Sequence, residues 1–174
     1  RPALDEVAAL IAKAEAARRE GAAPDALKAI LSKVGDADKL LKNTSYGSCV
    51  FANKPGDGSA REQAASSQRV LGGAANICYE YATKRYRSNC INWGILPFTL
   101  PAGASFAYEV GDHVFVPNVR EAIEQQKDTL SATAIKQDGT TEAITLNLPP
   151  LTDDEREILL EGCLMNYYAA HAGK

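Results

Sequence analysis

The first part of the chain places apolar residues at the period of an α-helix. From Leu4 to Arg19 they recur every three to four positions, and Gly21 ends the pattern. A second apolar stripe follows Pro24, a residue suited to a first helical turn, and Gly35 ends it. The sequence therefore predicts a helical N-terminal lead-in over residues 1–45, packed either on the same domain or on upstream domains.

From Ser48 onward, short runs rich in β-branched and aromatic residues replace the helical period. Such runs predict strands, and they read SCVFA, ANICYE, ILPFTL and GDHVFVP. Between them the pattern predicts one helix from about Arg61 to Leu71. A second helix is predicted within YATKRYRSNCINWG, ended by Gly94.

The last part of the chain predicts a hairpin and a helix. Apolar and polar residues alternate on both sides of Asp138-Gly139, a dipeptide that favours a tight hairpin turn. LTDDEREILLEGCLMNYYAA predicts one terminal helix, with Thr152 as N-cap and Glu155 completing a capping box. Strands mixed with helices predict an α/β domain over residues 46–174, with a mixed sheet flanked by helices.

Composition and charge narrow the possible partners. Of the 174 residues, 45% are hydrophobic and 24% are charged, and the formal net charge is −3. This balance is typical of one globular domain and argues against nucleic acid or an anionic membrane surface. No apolar run approaches the ~18–20 residues that span a bilayer. The basic segment KRYR, from Lys84 to Arg87, is predicted to be a solvated helix face. We therefore expect neither nucleic acid nor a membrane as partner.

The cysteines are too scattered to predict a metal site. No two of them form a C-x-x-C motif, and the chain has two histidines to supplement them. We expect no metal ion or iron–sulfur cluster to be bound by this chain alone. We expect buried thiols, a reducing compartment and a cytoplasmic location. The residues concerned are Cys49, Cys78, Cys90 and Cys163, together with His113, which is predicted to be structural, and His171.

The segment KPGDGSAREQ has the features of an anion-binding loop. A strand is predicted to end near Ala52 and a helix to begin near Arg61, so the loop lies at a helix N-terminus. Unpaired N–H groups and the helix dipole attract anions there. Gly56 and Gly58 allow tight turns close to a ligand. Arg61 can bind a carboxylate or a phosphate through two parallel hydrogen bonds.

Ser59 in this loop has two possible roles. Its hydroxyl can act as a base where a helix N-terminus and a cation stabilise the alkoxide, or it can simply cap the helix. The segment is not a P-loop, a dinucleotide-binding G-x-G-x-x-G or a hydrolase nucleophile elbow. We expect Ser59 at the end of a strand and Arg61 in the first helical turn.

Two segments of the chain resemble the aconitase family. GDGSAREQAASSQRVLGG is similar to the family's G-x-G-S-S-R-E-H/Q-A-A…R-x-L-G-G. YATKRYRSNCINWGILPFTL is similar to the family helix that leads into N-x-x-x-x-G-[IL]-L-P. The predicted strand, hairpin and closing helix follow in matching order, so the resemblance extends from about Ser48 to Ala170.

The resemblance implies a fold, a cofactor and roles for residues. The fold would be the swivelling β/β/α domain at the C-terminus of an aconitase-like hydro-lyase. Members of the family dehydrate and rehydrate hydroxy acids at a [4Fe–4S] cluster, whose open iron acts as a Lewis acid. Other domains hold that cluster, so upstream domains or a large subunit would be partners. By resemblance Ser59 is the catalytic base and Arg61 its carboxylate-binding partner, and Gly58 and Ala60 complete the substrate-binding set.

Departures from the family pattern leave the substrate open. Ala60 replaces a carboxylate-binding serine, Lys54-Pro55 replaces an Asn-aromatic pair, and Gln63 stands where histidine is common. We expect a hydroxy-di- or tricarboxylic acid as substrate. Two alternatives stay open: the small subunit of an isopropylmalate-isomerase-like enzyme, and a non-catalytic carboxylate-binding module. Because the chain begins with Arg1, we expect a processed chain or a fragment.

Overall fold

The computed structural model describes residues 2–21 and 24–173, and it divides the chain into two compact units. Unit 1 comprises Arg1–Ser48, Phe106–Pro117 and Ser131–Ile144, and unit 2 comprises Cys49–Ser105, Asn118–Leu130 and Thr145–Lys174. The described elements are, in chain order, α1 (Pro2–Glu20), α2 (Asp25–Leu31), α3 (Ala37–Asn43), β1 (Ser48–Ala52), α4 (Arg61–Val70), β2 (Gly73–Cys78), α5 (Lys84–Asn92), β3 (Leu96–Thr99), β4 (His113–Phe115), α6 (Val119–Glu124), β5 (Thr129–Ile135), β6 (Thr141–Asn147), α7 (Asp153–Glu161) and α8 (Leu164–His171).

The strands form a mixed sheet, which confirms the predicted α/β class. Their order is β1-β2-β3-β6-β5-β4. β2 and β3 are parallel, whereas β3–β6 and β4–β5 are antiparallel. In unit 2, α4 packs on β2, and α5, which connects the parallel strands β2 and β3, packs on β3. The β5–β6 hairpin turns at Gly139, which has a φ of +84°.

The helices of unit 1 confirm the two predicted from the apolar period and add a third. Gly21 follows α1 with a φ of +78°, and Pro24 precedes α2 as its N-cap. The unpredicted helix is α3, where the Asp36 carboxylate caps the helix by accepting from the backbone N–H groups of Asp38 and Lys39. One buried apolar cluster holds the three helices together: Ala14, Ala17, Leu27, Leu31 and Leu41.

The end of the chain in unit 2 corrects the prediction of one terminal helix. The Thr152–Glu155 capping box is present, as predicted, and begins α7. The helix stops at Gly162, whose φ is +97°, and α8 follows. Gly94, which ends α5, lies so close to the Gly162 carbonyl oxygen that a Cβ at Gly94 would collide with it. These glycines therefore let the ends of α5 and α7 approach each other backbone to backbone.

Two surface predictions in unit 2 are also corrected. Cys78 and Cys90 are buried, as predicted, but Cys49 on the edge strand β1 is exposed and Cys163 is only half-buried. The basic segment on α5 is not wholly solvated. Arg87 forms a 3.3 Å ion pair with Glu155 and donates to the Pro150 carbonyl oxygen, with the Arg87 and Glu155 side chains 20% and 15% exposed. The short helix α6 was not predicted. Within the described ranges, no helix is long and apolar enough to cross a membrane.

Candidate functional site

The predicted anion-binding loop lies between β1 and α4, within unit 2. β1 ends at Ala52 and α4 begins at Arg61, so the prediction that Arg61 occupies the first helical turn is confirmed. The prediction that Ser59 ends a strand is wrong, because Ser59 lies in the loop itself, close to the helix. The reason is the length of the loop, whose glycines and proline interrupt the strand well before the serine.

Backbone hydrogen bonds fix the first part of the loop to the segment that follows β2. The Asn53 carbonyl oxygen accepts from the N–H groups of Tyr79 at 3.2 Å and Glu80 at 3.3 Å, and the Pro55 carbonyl oxygen accepts from Ala82 at 2.9 Å. Lys54 adds a 2.6 Å ion pair with Glu80. The Lys54 and Glu80 side chains are both mostly exposed, so their ion pair contributes little to stability. The backbone bonds are what hold this part of the loop.

Gly56 is the tightest point of the loop. Its φ is +97°, and a Cβ placed on it would lie 2.5 Å from atoms of the Tyr86 side chain. Its carbonyl oxygen accepts a 3.0 Å hydrogen bond from Thr83 Oγ1. A glycine is therefore required at this position both by backbone conformation and by close packing.

The second part of the loop faces solvent. Asp57, Gly58, Ser59 and Ala60 are all exposed. Ala60 is the N-cap of α4 and provides no side-chain hydrogen bond, so Ser59 does not cap this helix. The first backbone N–H groups of α4 are thus left without an intrahelical partner at an open surface, the arrangement that attracts an anion. The four consecutive residues predicted to bind substrate, Gly58 to Arg61, lie at this helix N-terminus, and their role stays a prediction.

Arg61 begins α4 and is only half-buried. Its Nε atom is shielded from solvent and has no hydrogen-bond partner among the described residues. A buried donor left unpaired costs about 1–3 kcal/mol. An acceptor group such as a carboxylate, bound at the start of α4, would satisfy this donor.

A buried polar network lies beneath the loop, and sequence reasoning missed it. Gln68 of α4 donates to Asn76 Oδ1 at 2.5 Å, and Asn76 Nδ2 is 3.4 Å from both the Tyr86 hydroxyl and Cys90 Sγ. Asn76 is 2% exposed. The one signal in the sequence is an asparagine within the apolar run of β2. The network ties α4, β2 and α5 together directly under the loop.

The titratable groups of this network are unsuited to acid–base chemistry near neutral pH. Burial raises the pKa of Tyr86 to about 12 and the pKa of Cys90 to about 11. Burial likewise raises the pKa of Cys78 to about 11 and raises that of Tyr81 further. These groups therefore stay protonated and neutral.

The thiols and histidines do not form a metal centre in the described part of the chain. No three His, Cys, Asp or Glu side chains are grouped there in a way that could hold a metal ion. The raised thiol pKa values also oppose the thiolate form that a cluster needs. His113 lies on β4 in unit 1, with Nε2 2.6 Å from the Tyr46 hydroxyl, and burial lowers its pKa. That setting agrees with the predicted structural role of His113.

Comparison with known proteins identifies the family. The model of the aconitase C-terminal domain family matches residues 13–103, a range that contains the whole loop and Arg61. The chain belongs to the aconitase family. The resemblance carried by the glycine–serine–arginine segment is thereby confirmed, and the match begins within α1 rather than at β1.

Two relatives and one solved structure are similar to this chain. Aconitate hydratase A of Bradyrhizobium diazoefficiens is 30% identical over 121 residues, which are 68% of this chain and 13% of that protein. Aconitate hydratase A of Rickettsia bellii is 26% identical over 145 residues, 81% of this chain and 16% of that protein. The chain thus spans a small part of these relatives. The solved 3-isopropylmalate dehydratase (leuD) of Methanocaldococcus jannaschii is 23% identical, with a TM-score of 0.46 over 78% of this chain and 71% of that one.

Proposed function

We propose that this chain is the C-terminal, substrate-binding and base-supplying domain of a hydro-lyase. The reaction is the reversible dehydration of a hydroxy-di- or tricarboxylic acid. One observation carries the proposal: Ser59 and Arg61 lie together at the open N-terminus of α4. Membership of the aconitase family supports the reaction class.

Arg61 is proposed to bind a substrate carboxylate. A guanidinium offers parallel N–H donors that match the two carboxylate oxygens. The free N–H groups of the first turn of α4 and the helix dipole add to the attraction. Exposed Gly58 and Ala60 leave the backbone open to a ligand on either side of Ser59.

Ser59 is proposed to remove the proton from the substrate carbon next to the carboxylate. The helix N-terminus and the Arg61 cation favour the alkoxide form of the hydroxyl. As the C–H bond breaks, its proton passes to Ser59 Oγ, its electrons form the double bond, and the hydroxyl group leaves the neighbouring carbon as hydroxide with the C–O electron pair. Transfer of the proton from Ser59 to this hydroxide gives water and restores the alkoxide. Hydration follows the reverse course. The exposed, uncapped position of Ser59 gives it access to a substrate.

We propose that the complete protein carries the iron–sulfur cofactor of the family. A [4Fe–4S] cluster would supply the Lewis acid for the leaving hydroxyl. The described thiols and histidines of this chain do not fit such a cluster, so we propose that upstream domains or a large subunit hold it. We also propose that residues 1–45 form a lead-in to a swivel domain over residues 46–174, and that the protein is cytoplasmic.

A carboxylate-binding module without catalysis is the second candidate. It is favoured by Ala60, which stands where the family pattern has a carboxylate-binding serine and which gives α4 no side-chain cap. Such a module would keep the Arg61 contact and lose turnover. The two candidates differ in whether substrate binding leads to product.

An assay of the complete protein separates these candidates. The chain is joined to, or combined with, its cluster-bearing part and supplied with citrate, isocitrate and 3-isopropylmalate in turn. The enzyme predicts an unsaturated acid, detected by its ultraviolet absorbance, from at least one of them. Calorimetric binding of these acids to the loaded protein without any product would instead establish the binding module.

A further inference from the structure

Thr83 connects the start of α5 to the loop that precedes α4. Its Oγ1 donates to the Gly56 carbonyl oxygen at 3.0 Å and accepts from the Tyr86 backbone N–H at 3.2 Å. A threonine hydroxyl has one proton to donate, and here the loop receives it. The same oxygen atom therefore serves as the N-cap of a helix and as the anchor of the loop.

Tyr86 holds Gly56 from a second direction. The ring and Cβ of Tyr86 lie so close to the Gly56 Cα that no side chain fits between them. Tyr86 is itself buried, and its hydroxyl accepts from Asn76. The first turn of α5 thus fixes Gly56 through both its carbonyl oxygen and its packing. We call Gly56, Thr83 and Tyr86 the α5 clamp.

The α5 clamp is the last tight contact before Ser59. Asp57, Gly58 and Ser59 are exposed, and a Cβ at Gly58 would meet no atom within 4 Å. The next fixed point is the first intrahelical bond of α4, from the Ala64 N–H to the Ala60 carbonyl oxygen at 2.8 Å. The position of Ser59 is therefore set by these two anchors, one on each side.

We infer that Thr83 is a positioning residue for Ser59, acting through the Gly56 carbonyl oxygen and without contact with the substrate. The inference rests on the proposed function, because it assigns Thr83 to the same site. Freeing Gly56 lets the loop between the anchors shift. A displacement of the order of 1 Å at a reacting group can cost about 10²-fold in rate.

Hydrogen exchange on the 174-residue chain tests the anchor without reference to catalysis. Thr83→Val removes the hydroxyl and keeps the branched shape, whereas Thr83→Ser keeps the hydroxyl. Thr152→Val is the matched control, since Thr152 caps α7 by the same 3.2 Å bond from a backbone N–H. We expect the Ala82 amide, which donates to the Pro55 carbonyl oxygen beside Gly56 at 2.9 Å, to exchange roughly three- to tenfold faster in Thr83→Val, the factor for one hydrogen bond of average strength.

The same variants in the complete protein test positioning. We expect Thr83→Val to lower kcat by roughly 10- to 100-fold with KM little changed, because Arg61 stays anchored on α4. Thr83→Ser restores kcat, and Thr152→Val loses thermal stability without losing kcat. The substrate in this assay is whichever of citrate, isocitrate and 3-isopropylmalate gives the highest kcat/KM.

The outcomes separate this inference from the proposed function. If the Ala82 amide exchanges in Thr83→Val as it does in the wild type, the inference is overturned. It is overturned equally if Thr83→Val keeps its kcat in an active protein. If the complete wild-type protein forms no product, the proposed function fails, and the exchange result alone decides whether Thr83 anchors the loop.

Discussion

A guanidinium at the start of α4 can contact a carboxylate in a way that an ammonium cannot. We therefore expect Arg61→Lys in the complete protein to raise KM and to lower kcat, because a single ammonium does not reproduce two parallel hydrogen bonds. Steady-state kinetics on the preferred acid measures both effects. Arg85→Lys, an exposed arginine on α5, is the control and should change neither constant. Unchanged KM in Arg61→Lys would contradict the proposed contact.

At the level of residues, the sequence indicated the surface of the site but not its support. Ser59 and Arg61 stand in one continuous segment, so the sequence alone placed them side by side at the start of α4, while their roles remain predictions that come from the family resemblance. Asn76 and Thr83 act through partners distant in the chain, namely Tyr86, Cys90 and Gly56. No local pattern shows such contacts, because they depend on how β2 and α5 pack under the loop.

The contact between the ends of α5 and α7 gives a prediction about stability. Gly94 has a φ of +71° and lies against the Gly162 carbonyl oxygen, whereas Gly103 has a φ of +79° with nothing within 4 Å. Both Gly→Ala changes strain the backbone, by about 1–3 kcal/mol, but only Gly94→Ala adds a collision. We expect its free energy of unfolding to fall further than that of Gly103→Ala, as measured by urea denaturation. Equal losses would show that α5 and α7 separate at little cost.

At the level of elements, segments with a clear repeat of apolar residues were predicted well, and two short helices were not. α1, α4, β1 and the β5–β6 hairpin follow their sequence patterns closely. The misses were α3 and α6, whereas α2, which is as short as α3, was predicted because Pro24 and Gly35 mark the limits of its apolar stripe. The break between α7 and α8 was missed because Gly162 was treated as tolerated within a helix. Its close approach to Gly94 could not be foreseen from either segment alone.

For the whole molecule, His113 predicts that stability depends on pH. Burial lowers the His113 pKa below its ordinary value of 6.5 in the folded state, so the unfolded chain takes up the proton more readily. The contribution of His113 to the free energy of unfolding is fully present above pH 6.5 and is lost as the pH falls toward the folded-state pKa. We expect the free energy of unfolding to decrease over this range.

The variant His113→Gln isolates this effect. Urea denaturation of the wild type and the variant, repeated from pH 7.5 down to pH 5.5, gives the difference between the two curves. We expect the wild type to lose more stability than His113→Gln as the pH falls. Parallel curves would show that the Tyr46–His113 contact is not sensitive to protonation in this range.

The central claim is that Ser59 takes a proton during turnover, and Ser59→Ala in the complete protein tests it most directly. Ser67→Ala is the control, because Ser67 is an exposed serine on α4, the helix that follows the loop of Ser59. Ser59→Ala removes a group required only as the proton moves, so kcat should fall by about 10²–10⁴-fold while KM changes little. Ser67→Ala should behave as the wild type. If Ser59→Ala keeps a kcat within about threefold of the wild type, well below the range for base catalysis, Ser59 is not the base and the proposed mechanism is wrong.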